Sequence, residues 1–192
     1  MVLLDFVAAG LVVGLLLGGS LRNLTSLSIH SLWLAYAAIS LQLVAFPSGF
    51  LPWSTPDHVA RILWLASYVL LAAVVLRNCR IPGIAVIGIG QACNVIAIVV
   101  NGGHMPVTRS ALDGAGLAYH LHNNSVSLGH PHLSWLIDRW AVPGWLPLGN
   151  VYSVGDVLIA GGVMALLVLA MRPRLAGKSL ARPRDQGHGA YV

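Results

Sequence analysis

Long apolar runs alternate with short polar breaks along the chain, at lengths that suit helices crossing a hydrocarbon layer. Val2 to Gly19 is almost wholly apolar and about long enough to span a bilayer. It carries Asp5 and no basic leader, which predicts an uncleaved helix and not a signal peptide. Later runs predict spans at about 27–46, 59–76, 82–100 and 151–171. The turn Pro47-Ser-Gly-Phe-Leu-Pro-Trp-Ser-Thr-Pro56 interrupts any helix, and Pro82 suits the first position of the next one. The fold class this predicts is an all-α integral membrane bundle of about five transmembrane helices. Residues 1–171 form one transmembrane domain, and 172–192 a disordered basic cytoplasmic tail able to touch anionic headgroups.

Between the fourth and fifth spans lies a connection from 101 to 150, too long to be a bare linker. It is expected to be a structured extracytoplasmic loop. Asn101-Gly-Gly signals a turn, and Pro106 with Thr108 starts a short helix through Ala118. Trp135, Trp140 and Trp145, with Leu133, Leu136 and Ile137, are expected half-immersed among headgroups.

Polar positions inside the spans add detail. Gly10, Gly14 and Gly18 recur every four residues and let a neighbouring helix approach closely. Gln91, Asn94 and Asn101 share a face of the fourth helix, and amides in hydrocarbon need partners, so that face is expected to look inward. It is either structural glue or the lining of a polar pocket. On this reading Asn94→Leu lowers stability, while Ile98→Leu is nearly silent.

Composition agrees with the pattern: 57% of residues are hydrophobic, 9% are charged, and the mean hydropathy is +0.78. The net charge of +5 does not point to nucleic acid, because the basic residues sit at helix ends and in the tail. Arg22, Arg77, Arg80, Arg172, Arg174, Lys178, Arg182 and Arg184 fall on one side of a five-span protein, against Arg61, Arg109 and Arg139 on the other. That bias places the N-terminus outside and the C-terminus in the cytoplasm. Cys79 and Cys93 have neither metal-ligand spacing nor a disulfide-forming setting.

The candidate chemistry gathers in and around the long connection. Asp156 lies about one turn into the last apolar run, beside Ser153 and Gly155, and an ionisable group there is costly enough to suggest a role. Asp138 and Arg139 precede it in the loop. With Gln91, Asn94, Asn101, Gly102, Gly103, His104 and Met105, these residues outline a candidate outward-facing pocket. His104, His120-x-His122 and His130-x-His132 are conceivable Zn or Cu ligands, but the loop lacks Cys, Glu and a helical His pair, so no metal is expected. No pattern calls for a cofactor. The glycines at 88 and 90 lack the strand and third glycine of a dinucleotide site.

Asn101-Gly-Gly-x-Met-Pro-Val, Leu-x-Asp138 and Ser153-x-Gly-Asp156 together resemble a family of small bacterial multi-pass membrane proteins classed only as a domain of unknown function. That resemblance implies a membrane bundle in the bacterial cytoplasmic membrane with a structured outer loop, and no activity. A more distant similarity is to lipoprotein signal peptidase, whose paired aspartate motifs resemble Leu136-Ile-Asp138-Arg139 and Tyr152-Ser-Val-Gly-Asp156. The separation, 156 − 138 = 18 residues, is close to that family's. Val154-Gly155-Asp156 also resembles the Gly-x-Gly-Asp motif of intramembrane aspartyl proteases, although Ser153 replaces the first glycine. Trp135, Ser153 and Gly155 depart from the peptidase pattern. In such a dyad one carboxyl holds a proton while the other activates water. The alternative is that Asp156 caps the last helix or pairs with Arg139, or is tied to Asn101 and the Gly102-Gly103 backbone. Two function classes therefore stand. The first is a noncatalytic scaffold or binding subunit engaging membrane lipids or another membrane protein. The second is an aspartyl membrane peptidase or hydrolase using Asp138 and Asp156.

Overall fold

The computed structural model describes residues 2–47, 53–116, 125–126, 129–143 and 150–172. It is mostly helical. Five longer helices, α1 (Val2–Leu16), α2 (Leu32–Ala45), α3 (Asp57–Asn78), α4 (Ile84–Val100) and α6 (Val154–Met171), form the bundle, with α5 (Arg109–Ala115) outside it. The principal packing pairs are α1 with α6, α6 with α4, α4 with α3 and α3 with α2. The last helix thus inserts between the first and the fourth. Two helices, α3 and α6, are long and apolar enough to cross a membrane, yet only 17% and 28% of their apolar windows are buried. That is opposite to the core helix of a soluble protein, which hides most of its surface.

Small residues set the helix spacing. A methyl group added at Gly14 would lie 2.6 Å from the Met171 sulfur, and one at Gly10 would lie 3.2 Å from Met164 and Leu167, so this face of α1 is reserved for α6. Gly18 departs from the expected stripe: it sits in the turn after α1 with φ +78°. Backbones approach most closely between α4 and α6. A methyl at Gly90 would lie 2.5 Å from the Gly155 carbonyl oxygen, and one at Gly162 would lie 2.8 Å from that of Gly83. The pairs Gly83/Gly162 and Gly90/Gly155 are seven residues apart on both helices, and the helices run antiparallel. Two turns of backbone contact result, which larger side chains would wedge open.

The second helix starts later than the apolar run suggests, and at 14 residues it is shorter than the span expected there. Leu21–Ser26 forms a 3-10 turn capped by Ser20, and α2 begins only at Leu32. The intervening backbone is held at His30, whose N–H donates to Asn78 Oδ1 (2.7 Å) and whose carbonyl accepts from Asn78 Nδ2 (2.9 Å). Between α2 and α3, Gln42 Nε2 donates to Ser67 Oγ at 2.9 Å, which satisfies two polar groups on apolar helices.

The connection after α4 folds onto the end of the bundle and includes short strands that the all-α expectation omits. β1 (Met105–Pro106) pairs in parallel with β2 (Ser125–Val126), and β3 (Trp140–Val142) pairs antiparallel with β4 (Asn150–Tyr152). Strands of two or three residues carry too little alternation to be read from sequence. The short helix does start at Thr108, whose hydroxyl accepts from Ala111 N, and it ends on Gly116. Two apolar clusters lie beneath this cap. One joins Trp64, Ala97 and Ile98 of the bundle to Met105 and Leu136; the other joins Val107, Ala111, Leu112 and Ala115 to Val151. Leu136 and Ile137 therefore face inward, unlike the expected half-immersed position, while Leu133, Trp135 and Trp140 are exposed. Trp145, His120, His122 and the tail from 173 to 192 lie outside the described residues.

Candidate functional site

The three stretches singled out in the sequence meet at the capped end of the bundle. Asn101 ends α4 and satisfies two chain segments at once. Its Nδ2 donates to the Ala97 carbonyl (2.7 Å) and to the His132 carbonyl (3.0 Å), and its Oδ1 accepts the His132 N–H at 2.8 Å. The side chain thus imitates a strand partner for residue 132. Gly102 and Gly103 follow with φ +72° and +87°, and Gly103 N donates to the Ile98 carbonyl at 2.9 Å. Two successive left-handed residues turn the chain back over the helix end, which glycine does without strain. Met105, Pro106 and Val107 are buried just beyond, His104 is half-buried, and Arg61 closes on the Gly102 carbonyl.

Asp138 is stitched into the cap through its backbone. Its N–H donates to the Pro106 carbonyl (3.0 Å), and its carbonyl accepts from Thr108 N (2.9 Å). Arg139 N donates to the Tyr152 carbonyl at 3.1 Å, while the Arg139 side chain is exposed. Leu136-Ile-Asp-Arg is therefore a connecting segment between Pro106-Val-Thr on one side and the approach to α6 on the other. The Asp138 side chain is buried, at 6% exposure.

Asp156 is held by a closed set of hydrogen bonds. It occupies the third position of α6 in a capping box: Ser153 Oγ accepts from Asp156 N, and Asp156 Oδ2 accepts from Ser153 N at 2.9 Å. Oδ1 accepts from Asn94 Nδ2 at 2.9 Å. Ser153 Oγ also lies 2.9 Å from both Asn94 Oδ1 and Asp156 Oδ2, and its single proton serves one of them at a time. A carboxylate here is stabilised by the first-turn N–H groups of α6 and by the amide of α4. Gly155 makes the approach possible, because any Cβ at that position would collide with Asn94 Oδ1. The Gly-Asp pair thus has a joint reason: the acid needs the amide, and the amide needs the missing side chain. The expected tie between Asp156 and Asn101 is not what forms. Asn94, one α4 turn and more away from the helix end, takes that place, and Asn101 holds His132 instead.

Tyr68 of α3 is the residue that sequence reasoning missed. It packs on Trp64, with ring centroids 5.8 Å apart, and its hydroxyl adjoins Asn94 within electrostatic reach of both Asp156 and Asp138. A lone tyrosine in an apolar run carries no positional signal, and only the fold brings it to the acids. Gln91 is buried on the same face of α4. Among the described residues, no group of three or more His, Cys, Asp or Glu side chains gathers as a metal site.

The matched relatives are uncharacterised. An uncharacterized protein of Thermotoga maritima is 32% identical over 162 residues, covering 82% of this chain and 85% of the relative. No solved structure matches the chain. The model of a family of unknown function, DUF5317, matches residues 26–168, from the turn before α2 to the last turn of α6, and the chain belongs to that family.

Proposed function

We propose that the protein is a noncatalytic scaffold or binding subunit of the bacterial cytoplasmic membrane, crossing it five times, with its cap outside and its C-terminus in the cytoplasm. The observation that carries the noncatalytic part is the engagement of Asp156. Both carboxylate oxygens already accept hydrogen bonds, from Asn94 and from the Ser153 N–H. A general base must keep a lone pair open to water, and partners on both oxygens, on the N-cap side and on the α4 side, leave fewer of Asp156's four acceptor sites for that role. The membrane part rests on what the helices present outward: Leu16, Ile62, Val69 and Leu76 are each more than 60% exposed, a surface that only hydrocarbon or another apolar partner accommodates. At a rise of about 1.5 Å per residue, α3 is about 33 Å long, matching a bilayer core. The basic residues Arg22, Arg77, Arg80 and Arg172 all belong to the uncapped end, which favours that end as the cytoplasmic one.

A peptidase reading keeps one supporting observation: the Tyr68 hydroxyl interacts electrostatically with both acids. Purified protein in detergent, incubated with lipidated and transmembrane peptides and followed by mass spectrometry, separates the two. The scaffold reading expects no cleavage, with Asp156→Asn and Asp138→Asn altering only thermal stability. Cleavage by the natural chain that either variant abolishes while remaining folded would establish the peptidase instead.

A further inference from the structure

At the uncapped end, the 3-10 turn, the α3–α4 turn and the last turns of α6 line an open cavity of about 360 Å³. Its lining divides by chemistry. Arg80 and Arg172 and the Ser28 hydroxyl supply donors, whereas Leu27, Leu166 and Leu169 supply an apolar wall. The described acidic side chains, Asp57, Asp113, Asp138 and Asp156, all belong to elements of the capped end. Two guanidinium groups with no carboxylate among the described residues at their end of the bundle suit an anion. Planar N–H forks match tetrahedral phosphate oxygens better than a point charge does. The apolar wall gives such an anion a hydrocarbon neighbour, because Leu169 is 41% exposed on the outside of α6.

The backbone of the cavity walls is tied by hydrogen bonds. Asn23 Nδ2 donates to the Met171 carbonyl at 2.8 Å, and Ser20 N donates to the same oxygen at 2.9 Å, so the 3-10 turn is fastened to the end of α6. Its opposite wall follows α3 through a tight turn, in which Ile81 N donates to the Asn78 carbonyl at 2.8 Å. Both arginines therefore project from anchored backbone.

We propose that this cavity binds a phosphate-bearing anion, supplied in the membrane by the headgroup of an anionic phospholipid whose first acyl carbons lie along Leu166 and Leu169. The inference rests on the membrane reading above, since a lipid reaches this site only if α6 borders the bilayer. Free phosphate shares the headgroup chemistry but gains nothing from the leucine wall.

The test uses the full chain in neutral detergent with short-chain phosphatidylglycerol, phosphatidylcholine and inorganic phosphate as separate probes, read by thermal shift and native mass spectrometry. Saturable binding of phosphatidylglycerol, weakened tenfold or more by Arg80→Gln with Arg172→Gln and left within twofold by Arg22→Gln with Arg77→Gln, is the expected result. Saturable binding of inorganic phosphate with the same variant pattern supports the anion site and assigns it to an aqueous ligand. Equal binding of phosphatidylcholine, or equal losses in the two charge-matched variants, overturns the proposal. Carbonate extraction of cell membranes is run alongside. Protein that resists extraction yet shows no anion preference refutes the site alone, and protein released by carbonate refutes the membrane reading beneath it.

Discussion

Asn78 and Asn101 end adjacent antiparallel helices and perform the same task at opposite ends of the bundle. Each donates Nδ2 to the carbonyl four residues back, Val74 or Ala97. Each also clasps the backbone of a histidine, His30 or His132, through both its N–H and its carbonyl. Each carboxamide thus ties its helix end to its own last turn and at the same time anchors a passing segment. Past the clasp the two ends diverge. After Asn78 the chain turns within a few residues, and two arginines, Arg80 and Arg172, line an open cavity. Beyond Asn101 the described part of a connection of about fifty residues folds into a cap that buries Asp138 and leaves Asp156 half-buried at its edge. A common local device thus supports two environments, because donors from Ser153, Asn94 and the α6 N-terminus make a half-buried carboxylate tolerable, whereas the guanidinium groups remain beside open space.

Substitutions that separate the two ends should differ in size and in what they release. The largest loss is expected from Gly155→Ala, whose methyl displaces Asn94 and pushes on the Gly90 carbonyl; about 3 kcal/mol of stability should go, as read by detergent-unfolding midpoints. Gly162→Ala, at the same helix contact but away from any polar cluster, should cost less, about 2 kcal/mol. Equal losses would mean that backbone spacing alone matters at the capped end.

Replacing either clasp with alanine should cost about 2 kcal/mol. Hydrogen exchange distinguishes them: Asn101→Ala should speed exchange at His132, Leu136 and Asp138, and Asn78→Ala should speed it at His30 while leaving the cap protected. Cap amides that stay protected in Asn101→Ala would show that the apolar clusters hold the cap unaided. Asp156→Asn should be milder, about 1 kcal/mol, because one amide oxygen still accepts while the new NH₂ meets a donor. Smallest of all is Val99→Leu on the exposed side of α4, expected within about 0.5 kcal/mol by the same unfolding assay.

Much of the architecture could be read from residue order because helix periods and glycine positions are local signals. The inward face of Gln91, Asn94 and Asn101 follows from helical geometry alone, and the Thr108 start of α5 from the capping preference of its hydroxyl. Partner identity is not local. Asn94 and Asn101 share a helix face and are equivalent in sequence as partners for Asp156, and only the antiparallel register of α4 and α6, set by Gly83/Gly162 and Gly90/Gly155, selects Asn94. Tyr68 carries no sequence signal for the same reason. Ile98 is a further case: an apolar residue next to outward-facing neighbours, it is fully buried beneath the cap, so Ile98→Leu is now expected to cost about 1 kcal/mol. The arginine cavity is equally hidden in the sequence, since its walls come from three separated stretches, while charge bias along the chain reports only which end they share.

The central claim is that Asp156 serves structure by locking α6 to α4 through Asn94. A double-mutant cycle with Asn94→Ala and Asp156→Ala, measured as unfolding free energy in a single detergent, tests it most directly. A coupling energy of about 1.5 kcal/mol or more is expected, because each single change already removes the shared contact. Additive losses, with coupling below about 0.5 kcal/mol, would contradict it.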